Sequence, residues 1–426
     1  MRRRPLTARG VAALLLGLCC AVVANVLAVP LLLYLGVLLI ALVVLAAIVV
    51  HAPRRSGTVT RSIATDLLPV GETSRVLVRL DIRSVLPPPV GAWEDALPAA
   101  VDGSAVGAFP PEGERGRRTT DGIPTTLVYD IRGVRRGLWA LGPLTLTTVD
   151  PFGLVRRSQE FGESRPITVV PEVVAIPPLR DRIGAAGGTA QTSSSRIGQG
   201  SDNLTPRRYV PGDSMRRIHW RATAHRGDLM VRQEEQESSP DAIVVLDRAG
   251  DRWPRAGRGS GPGSGSGAAS GAAAADPAFE RAVSAVASIA LHLSDHGYAV
   301  DVVDATGVLI GRLRGIEDDR DGLLIALAAV SPRRGERDEG LAAARGAHTV
   351  GPLVVVTGAL TSADADTLTH GGAATPILLA TDAAPGTLDA AVAHGWFTGD
   401  LDDDIAASWA DAVPSPRAEG VRDARS

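Results

Sequence analysis

The chain has 426 residues, enough for two or three domains, and its 45% hydrophobic composition supports buried cores and excludes a disordered chain. With 44 basic against 47 acidic residues the net charge is -3, so a nucleic-acid-binding surface is not favoured at whole-chain level. All 44 basic residues are arginine, which excludes a phosphate-loop lysine and Schiff-base chemistry; Cys19 and Cys20 sit in an apolar run, leaving no thiol nucleophile, disulfide or Cys-ligated metal elsewhere.

Val11 to Val50 carries no charge over about 40 residues, roughly twice what one helix needs to cross the hydrocarbon core. Asn25 and Pro30 interrupt the run, which predicts a transmembrane helical hairpin within residues 1–55, with helices near 10–28 and 30–50. Arg2, Arg3, Arg4 and Arg9 precede the first span, and Arg54, Arg55 and Arg61 follow the second. The positive-inside rule then puts both ends in the cytoplasm: a two-pass protein of the inner membrane, with the lipid bilayer as one partner. A cleaved signal peptide with Ala28 near its cut is the rival, but a second apolar stretch long enough to span comes at once.

Residues 56–180 read as strands. In "RVLVRLDIRS" the residues Val76, Val78, Leu80 and Ile82 alternate with polar ones, a period of two, and Gly/Pro punctuation further on predicts a small β-sandwich-like domain. Asp150 to Gly153, "DPFG", is expected to be a turn. Residues 181–200 form a Gly/Ser-rich linker.

Residues 201–240 concentrate polar side chains in "RRYVPGDSMRRIHWRATAHRGDLMVRQEEQE". Pro211-Gly212 suits a type II turn, Asp213 can cap the next turn, and a short helix closed by Gly227 would put Ile218 and Ala222 inward. "DLMVRQEEQE" then reads as a polar edge strand, and Arg216, Arg217, Arg221 and Arg232 can pair with Asp213, Glu234, Glu235 and Glu237. Other chemistries use the same residues. A hydrolase would centre on Asp213 and His219, and the arginines interleaved with Tyr209 and Trp220 would suit phosphate or single-stranded nucleic acid. The neighbouring glutamates oppose the latter, and no nucleic-acid partner is expected.

From 241 to 415 strands alternate with helices: "DAIVVLD", a helix over about 278–296, "AVDVVDA", a helix near 322–330, "GPLVVVTG", a helix near 362–368, "TPILLAT" and a helix around 404–413. This order predicts an open parallel α/β sheet, with a Gly/Ser insertion at about 255–276. Ligands of such sheets bind at the carboxyl ends of strands, where the chain reads "LDRAGD". This part resembles a von Willebrand factor A-like domain, whose metal site uses Asp-x-Ser-x-Ser. Asp247 matches, but Ala249 and Asp251 replace the serines, and Thr357 is followed by Gly358 where an aspartate is wanted. A hard divalent cation needs those oxygens, so a degenerate, metal-free site is expected; Asp247 and Asp251 are the residues to which a Mg²⁺ would fall.

The segment with Arg207, Tyr209, Pro211, Gly212, Asp213, Arg216, Ile218, His219, Trp220 and Glu234 closely resembles the signature of the bacterial family called domain of unknown function fifty-eight. "RRGLWALGPLTLTTVDPFGLVRR" and the paired spans are also similar to that family. The resemblance implies a membrane-anchored, von Willebrand A-like protein that works with a MoxR-type AAA+ ATPase and a transglutaminase-like membrane protein. The expectation is a non-enzymatic scaffold or adaptor without a cofactor, its signature residues serving interaction or domain locking.

Overall fold

The computed structural model describes residues 5–51, 56–83, 90–111, 123–179, 204–209, 215, 218, 220–234, 240–253, 276–333, 349, 351–368 and 372–413. Two helices come first, α1 (Ala8–Leu27) and α2 (Pro30–His51), each long and apolar enough to cross a membrane, with mean hydropathies of 2.4 and 3.1. Thr7 caps α1 by accepting the Gly10 N–H at 3.1 Å. Asn25, expected to interrupt the run, lies inside α1; the chain turns at Ala28, whose φ of 54° is left-handed, and Pro30 opens α2. Gly10, Gly17 and Ala24 recur every seventh residue and are buried, as are Gly36, Val43 and Val50 on the other helix. A Cβ on Gly36 would come within 2.6 Å of the Gly17 carbonyl, so small residues set the helix contact.

Eleven strands come next: β1 (Ser56–Ile63), β2 (Leu67–Pro69), β3 (Thr73–Arg83), β4 (Gly91–Asp95), β5 (Val101–Gly103), β6 (Val106–Phe109), β7 (Ile123–Gly133), β8 (Gly137–Leu141), β9 (Leu144–Val149), β10 (Arg156–Phe161) and β11 (Arg165–Val170). They form sheets ordered β1-β3-β7-β5, β10-β9-β4-β6 and β2-β11-β8 around one apolar core. Val76, Val78, Leu80 and Ile82 all point into it, as their period of two requires. Arg61, expected among the charges flanking the helices, is instead buried: its Nε and Nη2 donate to the two Asp95 oxygens at 3.0 and 2.9 Å. Tyr129 donates to the same carboxylate at 2.7 Å, and burial followed by Asp95 pushes its phenol well above the ordinary range, so it remains a donor.

The signature region holds β12 (Leu204–Arg208), α3 (Trp220–Arg226) and β13 (Met230–Glu234), with β12 and β13 paired antiparallel. The remainder comprises β14 (Asp241–Leu246), α4 (Pro277–Asp295), β15 (Ala299–Asp304), β16 (Leu309–Leu313), α5 (Glu317–Ala329), β17 (Pro352–Leu360), α6 (Ser362–Thr367), β18 (Thr375–Ala383), α7 (Thr387–Ala393), β19 (Phe397–Asp400) and α8 (Ile405–Ala412). Their sheet runs β16-β15-β14-β17-β18-β19 and is mixed rather than purely parallel, because β16 is antiparallel to β15. β16 escapes the sequence pattern because it is an edge strand with one buried residue in five, and α7 and β19 escape it because they are short. The expected helix-strand alternation otherwise stands.

The boundary between the β and α/β regions falls earlier than residue 180. Strands end at Val170, and the extended stretch 171–179 runs along the α/β core: the Val174 N–H donates to Ser288 at 2.9 Å, Ile176 is buried there, and Trp409 Nε1 donates to the Pro177 carbonyl at 2.9 Å. Arg136 makes the second joint. It projects from the β7–β8 turn into the α/β region, where Nε and Nη2 donate to the Leu327 and Val330 carbonyls at 3.2 and 2.7 Å. Leu327 lies in the last turn of α5 and Val330 caps it, the Leu327 carbonyl also accepting the Val330 N–H at 3.3 Å, and a cation is favoured at this end of a helix. Nη1 pairs with Glu280, and the guanidinium lies 5.2 Å from the Phe279 ring centre. Arg136→Ala should therefore cost about 1–3 kcal/mol, less than a fully buried pair because Glu280 is 33% exposed, and Arg136→Lys should not restore it, since one ammonium cannot span three acceptors. Denaturant unfolding of the full chain checks this, with the β and α/β transitions expected to separate in both variants.

Candidate functional site

The signature residues build a small β–α–β unit. Ile218 bridges to Val231 and is buried with it; Met230 is buried too and its N–H donates to Thr223 at 3.0 Å, tying the strand to α3. The α3 chain reverses at Gly227, whose φ of 76° suits a residue without a Cβ. The helix begins at Trp220 rather than directly after the expected cap at Asp213, with Met215 in a separate short turn. Arg207 sits opposite Val231 and Glu234 opposite Leu204. Tyr209 is half-buried, and its N–H donates to the Leu229 carbonyl at 2.8 Å. Trp220 is 68% exposed and Met215 69%. Arg208, at the end of β12, pairs with Asp228. Pro211, Gly212, Asp213, Arg216 and His219 lie outside the described residues, and with them the Asp213/His219 pair and the expected arginine–glutamate network.

A second constellation closes the carboxyl edge of the sheet. Asp247, directly after β14, is 1% exposed: Oδ1 accepts the Ala249 N–H at 2.9 Å, and Oδ2 accepts Thr357 Oγ1 at 2.8 Å and faces Arg252 Nε at 3.1 Å. The same guanidinium makes a fork with Asp364, Nη2 to Oδ1 at 2.8 Å and Nη1 to Oδ2 at 3.1 Å. Asp304, which ends β15, pairs with Arg333 at 2.8 Å and has Arg248 at 3.7 Å. Three aspartates thus meet three arginines where a ligand of such a sheet would sit. The position a divalent cation would take beside Asp247 holds a guanidinium and its charge, while Asp251 is exposed on the adjoining turn.

At Gly358 a side chain would not fit. A Cβ at that position would lie 2.0 Å from the Arg252 carbonyl, because the Arg252–Trp253 backbone runs directly over the end of β17 and receives the Ala359 N–H at 2.7 Å. Trp253 then anchors this loop edge-on to Phe279, ring centres 5.2 Å apart. Sequence reasoning singles out Asp247, Thr357 and Gly358 but misses Arg252, Arg333 and Asp364. Arg252 lies only five residues after Asp247, and that short spacing is the available hint that the two would meet.

Residues 205–259 match the family model described as "Protein of unknown function DUF58", so both the signature unit and the Asp247–Trp253 loop lie in a DUF58 family domain. The chain is 23% identical over 211 residues to "Uncharacterized protein YeaD" of Bacillus subtilis (strain 168), a match covering 48% of this chain. The chain spans about half the length of that relative, 51%.

The Asp364 carboxyl feels opposing effects: burial raises it, but hydrogen bonds from Arg252 and Thr361 and the Arg252 charge hold it below the usual carboxylate range. A depressed folded-state value means the clasp contributes fully above the ordinary aspartate range and is lost as pH falls through the depressed one. Asp364→Asn should flatten that acid limb in a pH series of thermal midpoints. Arg252→Ala leaves Asp247 buried and short of its cation, and should lower unfolding free energy by about 3–5 kcal/mol in denaturant titration.

Proposed function

We propose that the protein is a membrane-anchored scaffold or adaptor, not an enzyme, whose cytoplasmic part works with a MoxR-type AAA+ ATPase. In this reading α1 and α2 are two spans of the inner membrane, the β region is a sandwich next to them, and the α/β region is a von Willebrand A-like domain. The observation that carries it is Arg252 seated against Asp247 and Asp364: the strand edge where a metal and its ligand would bind is closed by the chain's own charge. Binding then shifts to the signature unit. There Trp220 and Met215 stand out from a unit otherwise anchored by Ile218, Met230 and Val231, and exposed Arg221 follows Trp220 in the chain. Exposed Trp flanked by Arg is the composition of an interface anchor, and the hydrophilic rim around it suits a partner that comes and goes. A transglutaminase-like membrane protein is a second partner in the same assembly, reached laterally in the bilayer.

The test is affinity between the full-length chain in nanodiscs and the MoxR-type ATPase of the same cell, with and without ATP and Mg²⁺. Saturable binding weakened about 30-fold by Trp220→Ala, the loss typical of an interface anchor worth about 2 kcal/mol, supports the reading. Absence of binding in every nucleotide state overturns it.

A further inference from the structure

The "DPFG" turn does more than reverse the chain. Leu154, just after it, accepts the Thr7 N–H at 3.0 Å, and a Cβ on Gly10 would reach its carbonyl at 2.1 Å. Leu154 and Val155 are buried in one cluster with Val43, Ala46 and Val50 of α2. Leu6 pairs with Val155 as a β-bridge, and the Arg156 N–H donates to the Pro5 carbonyl at 2.8 Å. The turn is therefore packed against the first turn of α1 and the last turns of α2, level with both. If α1 spans, its 20 residues measure about 30 Å, the thickness of the hydrocarbon core, with no length to spare. Gly10 then lies at the hydrocarbon boundary, and so does whatever touches it.

The turn is built for that depth. Asp150 is 4% exposed and uses both oxygens on backbone donors, Phe152 N–H at 2.9 Å and Val155 N–H at 2.6 Å. Its carbonyl accepts the Gly153 N–H at 3.0 Å, and Thr7 Oγ1 donates to the Gly153 carbonyl at 2.6 Å. Backbone groups satisfied within the protein are what a water-poor setting demands. The tip left over is Pro151 and Phe152, the latter 59% exposed. Two arginines flank it. Arg9 Nη1 lies 3.6 Å from where a Gly153 Cβ would sit, and Arg157 Nη1 donates to the Val50 and His51 carbonyls at 3.2 Å each, at the end of α2.

We propose that the Asp150–Gly153 turn is a membrane-contact element that seats the Phe152 ring in the headgroup layer of an anionic bilayer, with Arg9 at the level of the lipid phosphates. Aromatic side chains are favoured at that depth, and arginines there add attraction to anionic lipid. The inference rests on α1 and α2 being spans. It makes the β region registered to the membrane rather than tethered beside it.

Spin-label accessibility on the full-length chain, in vesicles of phosphatidylcholine and phosphatidylglycerol, tests it. Cys19 and Cys20 are replaced by alanine, and single labels are placed by Phe152→Cys, Leu38→Cys in the middle of α2, and Leu138→Cys on β8; all three native side chains are exposed, so labels should not perturb packing. The expected result is oxygen access at 152 approaching that at 38, and access to an aqueous nickel chelate several-fold lower than at 138. A label at 152 as wet as the one at 138, with 38 in lipid, overturns the turn proposal and leaves the anchor intact. Wet labels at both 38 and 152 overturn the anchor, and the turn proposal with it.

Discussion

Buried aspartate facing arginine is the interaction on which this molecule depends. A carboxylate removed from water costs several kcal/mol unless a cation and hydrogen-bond donors meet it. In a chain without lysine that cation is always a guanidinium, whose planar fork satisfies two or three acceptors at once. Arg61 serves Asp95 in the β core, Arg252 serves Asp247 and Asp364 at the sheet edge, and Arg333 serves Asp304 beside it. The charges at the sheet edge are in the first place structural, each buried carboxylate meeting a guanidinium.

The same fork holds the regions to one another. Arg136 leaves the β7–β8 turn and ends on the Leu327 and Val330 carbonyls at the C-terminal end of α5, where the helix dipole favours a positive charge. Glu280, near the start of α4, takes the remaining donor, and an acidic residue is equally at home at a helix N-terminus. One side chain thus reads the polarity of two helices. Together with Ser288 and Trp409, which fix the 171–179 stretch, it transmits the position of the β region to the α/β region. At the other end Thr7, Leu154 and Arg157 bind the β region to the helix pair. The helix pair, the β region and the α/β region are thus joined by named contacts at each boundary.

Much of this is legible in the residues. The charge-free run, the period of two in β3, the helix-strand alternation after 241 and the turn at Asp150 come from local pattern, since each is decided by neighbours within a few positions. The signature segment is legible as a unit but not in its exposure: that Ile218 is covered by Val231 while Trp220 stands exposed depends on how β13 returns. Asn25 looks like a break because it is a polar residue in an apolar run, yet a helix satisfies its backbone regardless and the chain turns at Ala28.

Sequence by itself therefore determined the kinds of element, their order and the chemistries that were out of reach, because these depend on composition and short-range periodicity. Tertiary structure alone decided which charges meet. Arg252 and Asp364 are 112 residues apart, Arg136 and Glu280 144, and Thr7 and Leu154 147, and nothing local in the chain marks them as partners. Pairing at such separations is chosen by sheet order and by the cost of leaving a buried charge unmet, and both are properties of the folded molecule.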